Sequence, residues 1–130
     1  MIVDSSALVA ILQKEPEALR LSQAMALDPV CSVSAANWLE ASMIMFVRFG
    51  TEGIRDLDLL AAKASLEIAD VTSRQTDIAR RAFMKYGKGL HPAGLNFGDC
   101  FAYALARDTG EPLLFKGDDF PKTDIPAVAY

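Results

Sequence analysis

Short apolar segments are repeatedly cut off by a polar or acidic residue that then opens a helix, and this alternation restricts the fold more than any other feature. Ile2-Val3 stops at Asp4, and Ser5 or Ser6 is placed to cap a helix carrying Leu8, Val9, Ile11 and Leu12. Glu15-Pro16-Glu17 opens a second helix, with Leu19, Leu21 and Met25 on its apolar spacing up to Asp28-Pro29. Val30-Cys31-Ser32-Val33 reads as a second strand, after which Ser34 caps a long helix to about Phe49, closed by Gly50. A fourth helix runs from Thr51 or Glu52 to about Leu66, Ile68-Ala69-Asp70-Val71 forms a third strand, and Thr72 or Ser73 caps a fifth helix to Gly87. An irregular connection from Gly87 to Gly98 follows; Asn96 begins a sixth helix ended by Gly110, and Pro112-Leu113-Leu114-Phe115 is a fourth strand. Brief strands separated by helices predict an α/β fold, a parallel sheet with helices on both faces, in a single domain over 1–130.

Composition narrows the function classes. Length and a 52% hydrophobic content suit one globular domain with a real core. Met1-Ile2-Val3-Asp4 has no basic region ahead of an apolar one, and no apolar run approaches the roughly 18 residues of a membrane span, so a cytosolic protein is expected. Cys31 and Cys100 stand far apart, which rules out a zinc knuckle or a CxxC redox motif and leaves two reduced, packed thiols. The formal net charge of −4 excludes a whole-surface polyanion binder; a nucleic acid would have to meet a local basic patch or a bound metal.

Acids directly after strands are well placed for chemistry, because in open α/β sheets the functional crevice lies beyond the carboxyl ends of the strands. Asp4 follows the first strand, and Asp118 and Asp119 follow the fourth. Each also has an ordinary use, as a helix cap or in a solvated turn. Glu40 is the most informative single residue, being the only charged side chain from Ala35 to Val47. Helical spacing aligns it with Ile44 and Val47, which predicts an inward-facing carboxylate that needs a cation or a basic partner. Asp99 stands three residues after Asn96, where it can complete a cap, and Gly94 and Gly98 leave room for a metal or phosphate to approach the backbone.

Four acids from separate elements suit magnesium or manganese, which prefer oxygen ligands. The lone His91 cannot build a zinc site. One or two such ions would activate water against a phosphodiester, so hydrolysis of nucleic acid is the expected chemistry.

Four fragments in order resemble the VapC-type toxins, the PIN-domain ribonucleases of type II toxin–antitoxin pairs. They are Ile2-Val3-Asp4-Ser5-Ser6-Ala7-Leu8, Ser34-Ala35-Ala36-Asn37-Trp38-Leu39-Glu40, Leu95-Asn96-Phe97-Gly98-Asp99-Cys100-Phe101-Ala102-Tyr103-Ala104 and Leu113-Leu114-Phe115-Lys116-Gly117-Asp118-Asp119-Phe120. The resemblance implies a PIN-like three-layer α/β/α sandwich, a homodimer, RNA cleavage dependent on Mg2+ or Mn2+, and a VapB-type antitoxin whose C-terminal segment blocks the acidic site. It makes Asp4 and Asp99 the principal metal ligands, with Glu40 completing the cluster and Asp118 as fourth acid, Asp119 being the adjacent choice. Ser6 takes the hydroxyl position beside the first acid, and Asn96 a supporting one. Arg80, Arg81, Lys85, Lys88 and Lys116 gather near the connection to Asp99 and are candidates to steer an RNA backbone, although helix-end cations are also commonly solvated.

Other readings fit less well. A receiver domain wants an acidic pair after the first strand, and a haloacid-dehalogenase-type phosphotransferase wants an acid where Ser6 stands. Within the resemblance, a housekeeping RNA-processing nuclease without an antitoxin and a non-catalytic PIN-like binding module are the alternatives.

Overall fold

The computed structural model describes every residue from Met1 to Tyr130. The elements are β1 (Ile2–Val3), α1 (Ser5–Leu12), α2 (Ala18–Leu27), β2 (Ser32–Ser34), α3 (Ala35–Ala64), β3 (Glu67–Ala69), α4 (Ser73–Tyr86), α5 (Phe97–Thr109) and β4 (Leu113–Leu114), then a short 3-10 turn at Phe120–Lys122. All strand pairings are parallel, in the order β3-β2-β1-β4. The chain therefore builds the sheet outward from β1 through β2 to β3, then returns to the other side of β1. That reversal lies between β1 and β4, where a crevice opens at the strand ends of such sheets.

The brief central strands work because successive side chains leave a strand on opposite faces. Ile2 pairs in register with Leu113, and both enter the core beneath α4 and α5 with Ala82, Tyr86, Ala102 and Leu105. Val3 pairs with Leu114, and both enter the opposite core with Leu8, Leu21, Met45 and Leu57 of α1, α2 and α3. Ile2 is 2% exposed and Val3 0%, so two residues of β1 serve two cores. This is the expected three-layer α/β/α sandwich. β3, at the sheet edge, departs from the apolar pattern: Glu67 and Ile68 are exposed.

Several local expectations are corrected. Asp4, with extended backbone at φ −78 and ψ 155, caps α1 by accepting from Ser6 N, whereas Ser5 is already helical. The two helices expected on either side of Gly50 run on as one element broken by that glycine, whose φ of 63 and ψ of −146 redirect the axis without an intervening loop. Gly53 then packs against the Met45 carbonyl, an approach that a Cβ would prevent. Thr72 caps α4, and Asn96 and Asp99 form a reciprocal capping box on α5, each bond 2.9 Å long. Cys31 and Cys100 are buried free thiols. No helix is long and apolar enough to cross a membrane.

Candidate active site

The end of β1, the start of α3 and the start of α5 bring three acids to the sheet reversal. Asp4 is only 2% exposed. Its Oδ2 accepts from Ser6 N at 3.0 Å, but its buried Oδ1 has no hydrogen-bond partner. Burial drives its carboxyl up to about 6; the Ser6 side chain and amide oppose that rise, and the negative charge of Glu40 adds to it.

Asp99 occupies the first turn of α5, where Asn96 N donates to its Oδ2. Burial is again the main cause of its pKa, pushed up to about 7 despite the Asn96 hydrogen bond, and the charges of Asp4, Asp119 and Glu40 raise it further. The charges acting on Asp99 are thus all negative. Its helix-end position alone would favour ionisation, so crowding by other carboxylates and loss of water outweigh the helix dipole.

Glu40 does not enter the core as its spacing predicts: it is half-buried, as is Ile44, and Val47 on the same spacing is 85% exposed. Its partners are polar and neutral, since Oε1 accepts from the Ser5 hydroxyl and from Asn37 Nδ2. The room left by Gly98 goes to this carboxylate rather than to a ligand against the backbone, because a Cβ at Gly98 would meet Glu40 Oε1 at 2.7 Å.

Beyond β4, Gly117 at φ 121 turns the chain into Asp118 and Asp119, both exposed. The charge of Asp119 adds to the rise of the Asp99 carboxyl. Ser6 Oγ accepts from Lys116 N at 3.0 Å and ties this loop to the β1–α1 turn. The Lys116 ammonium is engaged by Glu15 and by Glu17 at 3.4 Å, which raises its pKa and keeps it from serving as a free basic contact. Arg81 pairs with Asp77 at 3.0 Å and Lys85 stands over the Tyr86 ring, while Arg80 and Lys88 are exposed on the α4 side. Asn96 acts as the cap of α5.

The donor set fits a hard divalent cation. Carboxylate oxygens predominate, one buried oxygen lacks a partner, and no Lys or Arg neutralises the group. No three of the acids converge tightly enough to grip one ion together as they stand. Asp4, Glu40 and Asp99 are each turned to a local donor, the Ser6 amide, the Ser5 hydroxyl with the Asn37 amide, and the Asn96 amide.

Two neighbours of the acids have no role assigned by the sequence beyond a place in the quoted fragments: Ser5, there a candidate cap, and Asn37, which lies three residues before Glu40 on the same helical face of an otherwise apolar turn. Beside Glu40 and Gly98 opens a groove of about 800 Å³, walled mainly by Leu39, Met43, Ile44, Val71, Phe97 and Phe101.

The PIN domain family matches residues 1–126. The chain is 52% identical over 128 residues to a Mycolicibacterium smegmatis protein named Ribonuclease VapC, covering 98% of this chain and 99% of that one. It is 49% identical over 129 residues to Ribonuclease VapC30 of Mycobacterium tuberculosis, covering 99% and 98% respectively. Among solved structures, Mycobacterium tuberculosis VapC20, described as a sarcin-ricin loop cleaving toxin, superposes with a TM-score of 0.79 at 17% identity, over 98% of this chain and 97% of that one. VapBC2 from Rickettsia felis, bound to a DNA fragment from its promoter, superposes with a TM-score of 0.74 at 16% identity, over 97% and 94%. At those identities the structures speak for the fold, and with the near-full-length relatives they make this chain a PIN-domain protein of the VapC ribonuclease family.

Proposed function

We infer that the protein is an endoribonuclease, the toxin half of a type II toxin–antitoxin pair, and that Asp4, Glu40 and Asp99 hold a magnesium or manganese ion with Asp119 as fourth acid in preference to Asp118. The observation that carries this reading is the buried, unpartnered Asp4 Oδ1 beside two further carboxylates with no basic group among them. A site that keeps uncompensated negative charge out of water is costly unless a cation from outside completes it. When bound, such an ion lowers the pKa of a water and offsets charge on the phosphodiester. The chain's own part is to fix the acids: β1 delivers Asp4, the α5 capping box orients Asp99, and the Ser6–Lys116 hydrogen bond brings the Asp119 loop alongside.

The names of the near-full-length relatives support RNA as the substrate. Arg80 and Lys88 are the best placed of the basic candidates to meet its backbone, being exposed and in none of the ion pairs. A VapB-type antitoxin is the proposed inhibitor, lying in the apolar groove that opens beside Glu40. Exposed Phe46, Val47 and Phe49 along α3 support a homodimer, checked by light scattering of the purified chain. This reading puts the protein in the cytoplasm.

The test is cleavage of RNA by purified protein in EDTA, Mg2+ or Mn2+, with Asp4→Asn and Asp99→Asn beside it. Cleavage should need the ion and vanish in both variants. Undiminished cleavage by either folded variant would remove the assignment.

A further inference from the structure

Glu40 is anchored by one of its two oxygens. Oε1 accepts from Ser5 Oγ and, at 3.4 Å, from Asn37 Nδ2. Oε2 has neither bond, and it lies against Gly98, where an added Cβ would strike it. The same Asn37 amide donates to Gly98 O at 2.9 Å, the shorter of its two bonds. Both groups facing Nδ2 are acceptors, so turning the amide over would set Oδ1 against two oxygens; the chemistry of the neighbours fixes its orientation.

Asn37 is 0% exposed and its Oδ1 is buried without a partner. Burying a polar group in that condition is destabilising, so Asn37 is a poor choice if filling space were its only task. What it does join is the first turn of α3, three residues ahead of Glu40, to the first turn of α5, which carries Asp99.

We propose that Ser5 and Asn37 are positioning residues: together they hold Glu40 by Oε1 and keep Oε2 free to ligate, while the Asn37–Gly98 bond sets the start of α5, and so Asp99, against Glu40. The proposal rests on the acids being a cation site. Gly98 belongs to the same device, because its missing side chain is the space in which the Glu40 carboxylate lies. Outer partners of this kind are typically worth roughly 10–100-fold in metal affinity.

The test titrates the purified full-length chain with Mn2+ and counts free ion by electron paramagnetic resonance, alongside thermal unfolding in EDTA. Ser5→Ala and Asn37→Ala should each weaken Mn2+ binding by about 10-fold or more. Ser5→Ala should do so with little change in the metal-free melting temperature, and Ser5→Thr, which keeps the hydroxyl, should restore affinity. If Asn37→Ala fails to fold, Ser5→Ala and Gly98→Ala, which displaces the Glu40 carboxylate, decide the matter by the same loss. Tight Mn2+ binding by wild type and unchanged binding in the folded variants would overturn the positioning role alone. A wild-type chain that binds no Mn2+ would overturn the cation site and the positioning role together.

Discussion

The two ends of β1 treat charge in opposite ways. At its start the Met1 ammonium donates to Asp28 Oδ2 at 3.0 Å and Val30 O at 2.8 Å, with Glu111 Oε2 at 3.5 Å. The Asp28 carboxyl is held below its usual range by the Val30 amide and by that ammonium. At the other end of the strand Asp4 is buried with one oxygen unpartnered, and the nearest charges are those of other acids. The same strand thus carries a charge that the fold neutralises and, three residues on, one that it leaves open. Charge that serves the fold at the start of β1 is paired internally, whereas the acids at the sheet reversal have no basic partner within the chain.

The strongest way to break this contrast is to remove charge at the open end. Asp4→Asn or Asp99→Asn should lower RNA cleavage by more than about 100-fold, the upper figure for losing a mere outer-shell partner, while the metal-free protein stays folded. Cleavage-rate and melting measurements on the same samples check both halves. Next in size, Asp119→Asn should lower cleavage by about 10-fold and Asp118→Asn by no more than about twofold, because the charge of Asp119 bears on Asp99. Equal losses in the two variants would show that the loop presents either acid.

A pH series sharpens the contrast further. Asp4 and Asp99 are raised to about 6 and about 7 in the folded state from an ordinary value of 3.8, so the folded protein binds more protons than the unfolded chain between these limits. Their contribution to metal-free stability is therefore full below about pH 4 and falls as pH rises through 6 and 7. Melting in EDTA should drop by roughly 5 °C between pH 5 and pH 7.5, and Mn2+ should recover more of the loss at the higher pH. Asp99→Asn should keep only the part of the drop that belongs to Asp4, which burial raises to about 6. The smallest change is expected at the paired end: Asp28→Asn should cost under about 1 kcal/mol by chemical denaturation and leave cleavage as it was.

Much of the fold was legible because its signals are local. Ile2-Val3 before Asp4, Ser34 before the long helix, Asn96 before Asp99 and Gly110 after Thr109 each carry their own stereochemical reason. What was not legible depended on contacts across the chain. Glu40 was expected among apolar neighbours with a metal or a basic partner, yet its immediate partners are a hydroxyl from α1 and an amide from its own helix. Gly98 was read as room for a ligand, and only the packing of α3 on α5 shows that Glu40 fills it. Asp118 and Asp119 are equivalent by position in the sequence, and the effect of the Asp119 charge on Asp99 depends on how the turn at Gly117 folds the loop back.

The placement of β4 bears on when the protein becomes capable of acting. β1 is the first strand made, but its N–H groups at Ile2 and Asp4 are satisfied by Pro112 O and Leu114 O, at 2.8 and 2.9 Å. The Ser6 hydroxyl likewise waits for the amide of Lys116, 110 positions later. Until β4 is in place, the β1 edge stays unpaired at Ile2 and Asp4, and the Ser6 hydroxyl lacks its Lys116 partner. Pairing of β4 with β1 is thus the contact that completes both the sheet reversal and the turn beside Asp4.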